Sequence, residues 1–339
     1  MKDVARIVGV SVQTVSAVVN DKPGISEETR ERVAAVIGEL GYRPYSVARS
    51  LRTRRTNTVA LIVSDINNPS FSAIASAAED YVHSFGYSLV VYNTHDSIAR
   101  ETSYIRTAIE RWVDGVLFVA AQDQFASLDR LREVGIPFVA IDRVPDEYDW
   151  PSVTLNNLKA GQLATEHLID LGHRAIAHIG GPQRLRLARE RLQGFQHALE
   201  RHGLKRGLVA FGETWTCEEG YQIMQVLLVP GQSSRMSAVV CANDRMAIGA
   251  MLAIKEAGLR VPEDISVTGL DDIEVAAFHT PPLTTVRQPF SEMAIQGVKL
   301  LLALINGERP ERQQIVLEPE LVVRKSTLVL DGLWAMGVG

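Results

Sequence analysis

From Thr58 onward, short apolar runs alternate with amphipathic stretches, and this alternation leaves few folds open. Residues 59–63, 88–92, 115–119 and 138–141 read as strands, and 72–85, 102–112 and 128–134 as helices between them. The pattern resumes with helix 160–171, strand 175–179, helix 189–202, strand 208–211, helix 217–228, strand 238–241, helix 244–257, strand 265–268 and helix 291–305. Strands this apolar are covered on both faces, which implies parallel sheets flanked by helices. So many strands suit two doubly wound lobes better than one. A ligand then belongs beyond the C-terminal strand ends, in a cleft between the lobes.

The first 57 residues follow different rules. Val4, Ala5 and Val8 share one face of a short helix, and Gly9 permits a left-handed turn. Ser11 suits the N-cap of a second helix running to about Asn20, with Val12, Val15, Val18 and Val19 as its apolar face. Ser26 should cap a third helix, with Val33, Val36, Ile37 and Leu40 as its core stripe and Gly41 as its end. Two helices joined by a glycine turn make a helix-turn-helix, whose second helix reads bases near its N-terminus. Gln13 can pair with adenine and Val12 can touch a thymine methyl. Ser11, Thr14, Ser16 and Asn20 can meet phosphates. Taken alone, the same hairpin could be an exposed polar surface that binds nothing.

Charge separates the two regions. Residues 1–57 hold ten Lys/Arg against six Asp/Glu, a net of +4, which leaves −9 on the rest of a chain whose formal charge is −5. A basic module on an acidic body keeps attraction to nucleic acid local. Arg49, Arg52, Arg54 and Arg55 concentrate this charge in a linker after Arg43-Pro44, and 45–51 could form two helical turns. The two cysteines, Cys217 and Cys241, lack C-x-x-C partners, so neither a disulfide framework nor a zinc cluster is expected, and a reducing cytoplasm fits. Lys2, Asp3 and Arg6 do not read as a secretory signal, and no run of 18 apolar residues predicts a membrane span.

Many short motifs occur in one order: Asp3-Val-Ala5, Gly9-Val-Ser11, Thr14-Val-Ser16, Val19-Asn20, Gly41-Tyr-Arg-Pro44 and Ala48-Arg-Ser-Leu51. Further on come Asp65-Ile-Asn-Asn-Pro69, Val113-Asp-Gly-Val116, Ile141-Asp-Arg143, Leu171-Gly-His173, Arg191-Leu-Gln-Gly-Phe195, Ala242-Asn-Asp244, Pro281-Pro-Leu-Thr-Thr285 and Gln288-Pro289. Together they resemble the lac-repressor/gal-repressor family of bacterial regulators over about residues 2–327. The resemblance implies a helix-turn-helix domain at 1–44 and a hinge helix with basic linker at 45–57. It implies a two-lobed, periplasmic-binding-protein-like sensor at 58–330 and a tail at 331–339. The N-lobe would hold about 58–156 and 288–316, and the C-lobe about 157–287 and 317–330.

The same resemblance implies a homodimer on palindromic double-stranded operator DNA, with Val47, Ala48, Arg49, Leu51 and Arg52 at the minor groove. There Leu51 would act as a wedge, as an apolar side chain among arginines can. For the sensor it points to Asp142, Arg191, Trp215, Asn243, Asp271 and Gln288 around a small polar effector, a sugar or sugar derivative. Asp271 can accept two hydroxyl bonds, Arg191 donates in a fixed fork, and Trp215 offers an apolar plate. Each also has a plainer reading: Asp271-Asp272 as a helix cap, Trp215 as core, Arg191 as a surface charge.

The chain departs from the family at three places. Ala17 stands where arginine is usual, Tyr45 replaces the asparagine that opens the hinge helix, and Asn156-Asn157 replaces Asp-Asn. Operator and effector therefore do not carry over. Met1 lies close to the first helix, without the usual hydroxyl cap, which leaves an upstream start codon open. Nine residues follow Leu330, too few for three heptads, so a dimer without a tetramerising coiled coil is expected.

Two other function classes fit the sequence less well. No G-x-G-x-x-G, P-loop, G-x-S-x-G or H-E-x-x-H pattern occurs, and His167 and His173 are six apart, off a common helix face. No catalytic residue, metal site or cofactor is expected. A solute-binding protein of a transport or sensing system would share the two-lobed fold, but would leave residues 1–57 without a role.

Overall fold

The computed structural model describes residues 1–19, 22–41, 55–121, 128–144, 150–205, 207–229 and 236–330. By contacts the chain divides into two units, Met1–Thr56 and Asn57–Gly339.

In the first unit, α1 (Lys2–Val8), α2 (Val12–Val19) and α3 (Glu27–Glu39) close a small core of Val4, Ala5, Val8, Val15 and Val33. Gly9 takes φ 75, the left-handed turn expected of it, and its N–H and that of Val10 both donate to Ala5 O. Ser11 caps α2, its hydroxyl accepting from Thr14 N at 3.0 Å. Three expectations need correction. Val12 (42% exposed) and Leu40 (47%) lie outside the core, while Val15 and Val33 are fully buried. Three short helices offer too little buried face to cover every residue at apolar spacing. Ser26 occupies the N-cap of α3, but its side chain makes no bond to the helix backbone; its hydroxyl pairs with Thr29 Oγ1 at 2.8 Å.

In the second unit the described residues form two six-stranded sheets. The first holds β1 (Thr58–Val63), β2 (Ser88–Asn93), β3 (Gly115–Phe118), β4 (Phe138–Ile141), β5 (Ser152–Leu155) and β11 (Gln314–Leu317), in the order β11-β5-β4-β3-β1-β2. All its pairings are parallel. Val59, Leu61 and Val63 face α4 (Pro69–Ser84) and α12 (Phe290–Ile305), while Ala60 and Ile62 face α5 (Ile98–Glu110) and α6 (Asp129–Glu133). This two-sided burial is why β1 reads as an unbroken apolar run.

The second sheet repeats the order with β6 (Ile176–Gly180), β7 (Val209–Phe211), β8 (Ala238–Cys241), β9 (Ser266–Asp271), β10 (Thr284–Arg287) and β12 (Glu320–Val322), as β12-β10-β9-β8-β6-β7. Only β12 among them runs antiparallel. α7 (Asn157–Asp170) and α8 (Arg186–Arg201) cover one face; α9 (Cys217–Leu227), α10 (Asp244–Glu256) and α11 (Glu274–Phe278) cover the other.

The chain crosses between the lobes three times: between β5 and α7, between β10 and α12, and between β11 and β12. Asn156 Nδ2 donates to Glu318 Oε1 at 3.1 Å, so two of the crossings are tied side by side. The alternation read from sequence omitted β5, β10, β11, β12 and α11. β5 and β10 are half or more polar by type and the others are only three to five residues long, and the four strands still complete the two sheets beside the crossings.

Candidate functional site

Two surfaces carry the residues singled out by sequence. On the first unit, Ser11, Val12 and Gln13 stand exposed at the N-terminus of α2, while Thr14 and Ser16 are half-buried. The Ser11 and Thr14 hydroxyls lie 2.9 Å apart and bond to each other. Val12 and Gln13 are thus the pair presented outward from the first turn, the position from which a recognition helix reads bases. Asn20, Val47, Ala48, Arg49, Leu51 and Arg52 lie outside the described residues.

The second surface is the cleft between the lobes. The strand order puts the C-terminal ends of β4, β8, β9 and β10 at its walls, and all six residues expected of a sensor meet there: Asp142, Arg191, Trp215, Asn243, Asp271 and Gln288. Asp142 follows β4 with φ 67 and Asp271 ends β9 with φ 122. Both are left-handed conformations that a non-glycine residue adopts at a cost and that cluster at functional sites.

Arg191 is the hub. It projects from α8, is 4% exposed, and donates from Nε to Asn157 Oδ1 (2.9 Å), from Nη1 to Ala242 O (2.8 Å) and from Nη2 to Gln288 Oε1 (3.3 Å). Gln288 Nε2 in turn donates to Asp142 Oδ1 at 2.6 Å, which carries the chain of bonds into the other lobe. Asp271 Oδ1 stands 4.0 Å from Arg191 Nη1, and Ser70 Oγ donates to Asp271 Oδ2 at 3.4 Å from across the cleft.

Burial raises the Asp271 carboxyl well above the usual carboxylate range, and the Arg191 charge opposes that rise. Burial likewise lowers the Arg191 guanidinium, with Asp271 and Asp142 opposing. An incompletely compensated charge pair in a buried cleft can take further hydrogen-bond partners.

The plainer readings fare unevenly. Arg191 is no surface charge, and Asp271 caps no helix. Asn243 does serve as a cap: its Oδ1 accepts from Met246 N (2.9 Å) at the start of α10, and its Nδ2 donates to Trp215 O (3.2 Å). Trp215 packs against Gly181, where an added Cβ would lie 2.3 Å from its ring, and Arg191 stacks 5.6 Å above it. Arg191 thus already lies over the ring expected to plate a ligand. His167 and His173 have structural partners, Thr327 for the first and Ser237 with Leu328 O for the second.

Sequence reasoning did not count Asn68, Ser70, Phe71, Arg143 and Asn157 among the cleft residues, although Asn68, Arg143 and Asn157 stand in motifs quoted above. Asn68 caps α4 ahead of Pro69, its Oδ1 accepting from Ser70 N, and so turns Ser70 and Phe71 into the cleft. An asparagine followed by proline just after a strand is a helix-start signal that would have found them. Arg143 stacks 5.3 Å over Phe71. Two buried donors at the cleft, Arg143 Nε and Trp215 Nε1, have no hydrogen-bond partner among the described residues. Such donors call for an acceptor.

Comparison with known proteins gives a consistent picture. Residues 1–45 match the family model described as bacterial regulatory proteins, lacI family, and residues 165–327 match that of a periplasmic binding protein-like domain. The chain is 38% identical to the HTH-type transcriptional repressor PurR of Pasteurella multocida over 333 residues, covering 96% of this chain and 98% of that protein. It is 36% identical to the ribose operon repressor of Haemophilus influenzae over 330 residues, covering 96% and 98%. The crystal structure of the lac repressor dimer bound to operator and the anti-inducer ONPF superposes with a TM-score of 0.87 at 33% identity, covering 96% of this chain and 98% of that one.

Proposed function

Because the chain belongs to the lacI family of bacterial regulatory proteins, and so is a DNA-binding transcriptional regulator, we propose that it is a homodimeric repressor whose grip on a palindromic operator is set by a small polyhydroxylated effector in the interlobe cleft. The observation that carries this reading is the bonded chain Asp142–Gln288–Arg191 with Asp271 beside it, which spans both lobes and leaves Arg143 Nε and Trp215 Nε1 wanting acceptors. Hydroxyl groups both donate to carboxylates and accept from guanidinium and indole N–H groups, so a sugar answers every group present. The ligand acts by binding rather than by reacting, which accords with relatives that are repressors. Such a regulator works in the cytoplasm, where the operator is.

On the first unit, Val12 and Gln13 are proposed to read bases and Ser11, Thr14 and Ser16 to steady the backbone. Val275 and Phe278 of α11 stay exposed, Phe278 at 79%, and form part of the surface proposed to meet a second copy.

Control follows from linkage. A ligand changes operator affinity only by preferring one lobe arrangement over another, and the three crossings are where that arrangement is set. The test is fluorescence anisotropy of the full chain on its own upstream promoter region, over a salt series. The expected result is sequence-preferring binding that weakens steeply with salt. Gln13→Ala should weaken specific binding by about 1–3 kcal/mol and leave random-DNA binding unchanged. Equal binding to operator and random DNA by the unaltered protein would sink the reading.

A further inference from the structure

Away from the three crossings, one ion pair joins the lobes. Arg245 Nη1 stands 3.6 Å from Asp65 Oδ2, and the two side chains are 20% and 25% exposed. Asp65 follows β1 in the first lobe, and Arg245 is the second residue of α10 in the second. Neither lines the narrow cleft between Ser70, Asp271 and Gln288.

Each partner is held by its own lobe. Asp65 Oδ1 accepts from Asn67 N at 3.0 Å and Asp65 O from Asn68 N at 3.0 Å. This turn fixes the carboxylate and leaves Oδ2 for Arg245. The same turn leads into the Asn68 cap that presents Ser70 and Phe71 to the cleft. Across from it, Asn243 caps α10 and bonds to Trp215 O, which fixes the helical turn carrying Arg245. A cation in the first turn of a helix opposes the helix dipole, so Arg245 gains nothing from α10 itself. Its favourable partner is the carboxylate of the other lobe.

Strand order gives the pair its leverage. Counted from β11 and β12, the strands beside the crossings, β1 is fifth in its sheet and β8 fourth. The Gln288–Asp142 bond lies nearer the crossings, since β4 is third and β10 second. Neighbouring strands lie about 4.8 Å apart, so β1 stands about 10 Å farther out than β4. Rotation about the crossings therefore parts Asp65 from Arg245 by more than it parts Gln288 from Asp142.

The cleft they close has room for about 20 Å3, on the scale of one water molecule. A small-molecule site takes about 300 Å3 or more. An effector thus enters only after the lobes part. Once inside, it can replace the bonds Ser70–Asp271 and Gln288–Asp142, which are made by residues of the cleft itself. It does not compete for Asp65 and Arg245, which stand outside.

We propose that Asp65 and Arg245 are a clasp, a positioning pair outside the binding residues that holds the lobes closed without ligand and must separate for an effector to enter. The clasp rests on the cleft as the site of control and is independent of the effector's chemistry.

Dipolar EPR distances in the full chain, without effector or DNA, test this. Ala99→Cys is exposed on the first turn of α5, and native Cys217 opens α9. These helices follow β2 and β7, the strands farthest from the crossings, and Cys241 is buried away from the label. Labelled protein is diluted with unlabelled protein, so that distances within one chain dominate. A short distance should dominate in the reporter protein. Asp65→Asn, which keeps an oxygen for Asn67 N, and Arg245→Met should each raise the ratio of long to short distances about fivefold. The double variant should open no further than either single one, and a cooperative urea transition identifies folded variants. A long distance dominating in the reporter protein, a ratio unmoved by both single variants, or effects that multiply in the double variant would overturn the clasp. Operator anisotropy of the same variants separates this from control through the cleft. A wider cleft with unchanged operator affinity would support the clasp and overturn that control.

Discussion

In each lobe the fourth strand of the parallel run delivers an aspartate with positive φ to the cleft, Asp142 after β4 and Asp271 at the end of β9. Each lobe also sets a guanidinium over an aromatic ring, Arg143 over Phe71 and Arg191 over Trp215. The halves diverge in how these groups are compensated. Arg143 Nη1 reaches Ala120 O at 2.9 Å and, at 3.3 Å, Asp96, whose side chain is 45% exposed; all of these belong to its own lobe. Arg191 faces Asp271, 7% exposed, and its bonds reach Gln288 and through it the other lobe. The same strand order thus yields one guanidinium bonded only within its own lobe, with its Nε left without a partner, and another that also bonds Gln288 and through it reaches Asp142 of the other lobe.

The sharpest way to break the comparison is to remove each guanidinium. Arg191→Met should cost about 3–5 kcal/mol of stability, since it strips the cation from a buried carboxyl and orphans Gln288. Arg143→Met should cost about 1–2 kcal/mol, because water can replace its partner at Asp96. Urea midpoints of the two variants decide the matter, and equal losses would dissolve the asymmetry. The aspartates come next. Asp271→Ala should weaken whichever saccharide binds the unaltered protein about 100-fold, and Asp142→Ala about tenfold, with operator binding intact in both. An unchanged saccharide affinity in Asp271→Ala would remove that residue from the site. A smaller effect is expected at α11, where Phe278→Asp should shift the protein toward monomer in sedimentation without changing saccharide affinity.

The asymmetry also explains what the sequence made legible. Strands β1, β3, β4 and β8 are buried on both faces, and their uninterrupted Val/Leu/Ile/Phe runs announced a doubly wound sheet. β5 was missed because it alternates polar and apolar residues, Ser152-Val153-Thr154-Leu155, whereas β11, Gln314-Ile315-Val316-Leu317, is a short run at the sheet edge with three apolar residues in succession. β10 was missed because Thr284 and Thr285 are polar by type yet wholly buried, their hydroxyls spent on Thr327 and Asp244. For the cleft, residue type suggested binding chemistry at Arg191 and Asp271, and the family motifs supplied the set that the fold brings together. Spacing could not reveal Phe71 and Arg143, since these residues are 72 apart in sequence and meet only because β1 and β4 end on the same edge of one sheet. On the first unit, apolar spacing over-counted the core, because Val12 fits the helical stripe but lies beyond the reach of α1 and α3.

The smallest expected effect isolates one further difference between the lobes. Three residues past the end of β8 stands Asp244, and three past the end of β3 stands Ala121. Asp244 is fully buried and accepts from Thr285 Oγ1 and Ile273 N, and burial pushes its carboxyl up to about 6 despite these bonds. The native state therefore holds a proton that the unfolded chain releases above its ordinary carboxylate range. This contribution to stability is fully present below about pH 4 and is lost as pH rises through about 6. Asp244→Asn, neutral throughout, should erase that slope. Relative to the unaltered protein it should gain stability between pH 4 and 6, by at most about 1.4 kcal/mol per pH unit. Asp271 titrates in the same direction and is present in both proteins, but the Asp244 charge helps to raise it, so the difference between their urea midpoints reads Asp244 together with its coupling to Asp271. Parallel midpoint curves over that range would show that the second lobe does not own the pH response. Ala121→Asp in the first lobe should not create one of the same sign unless its carboxyl is as deeply buried.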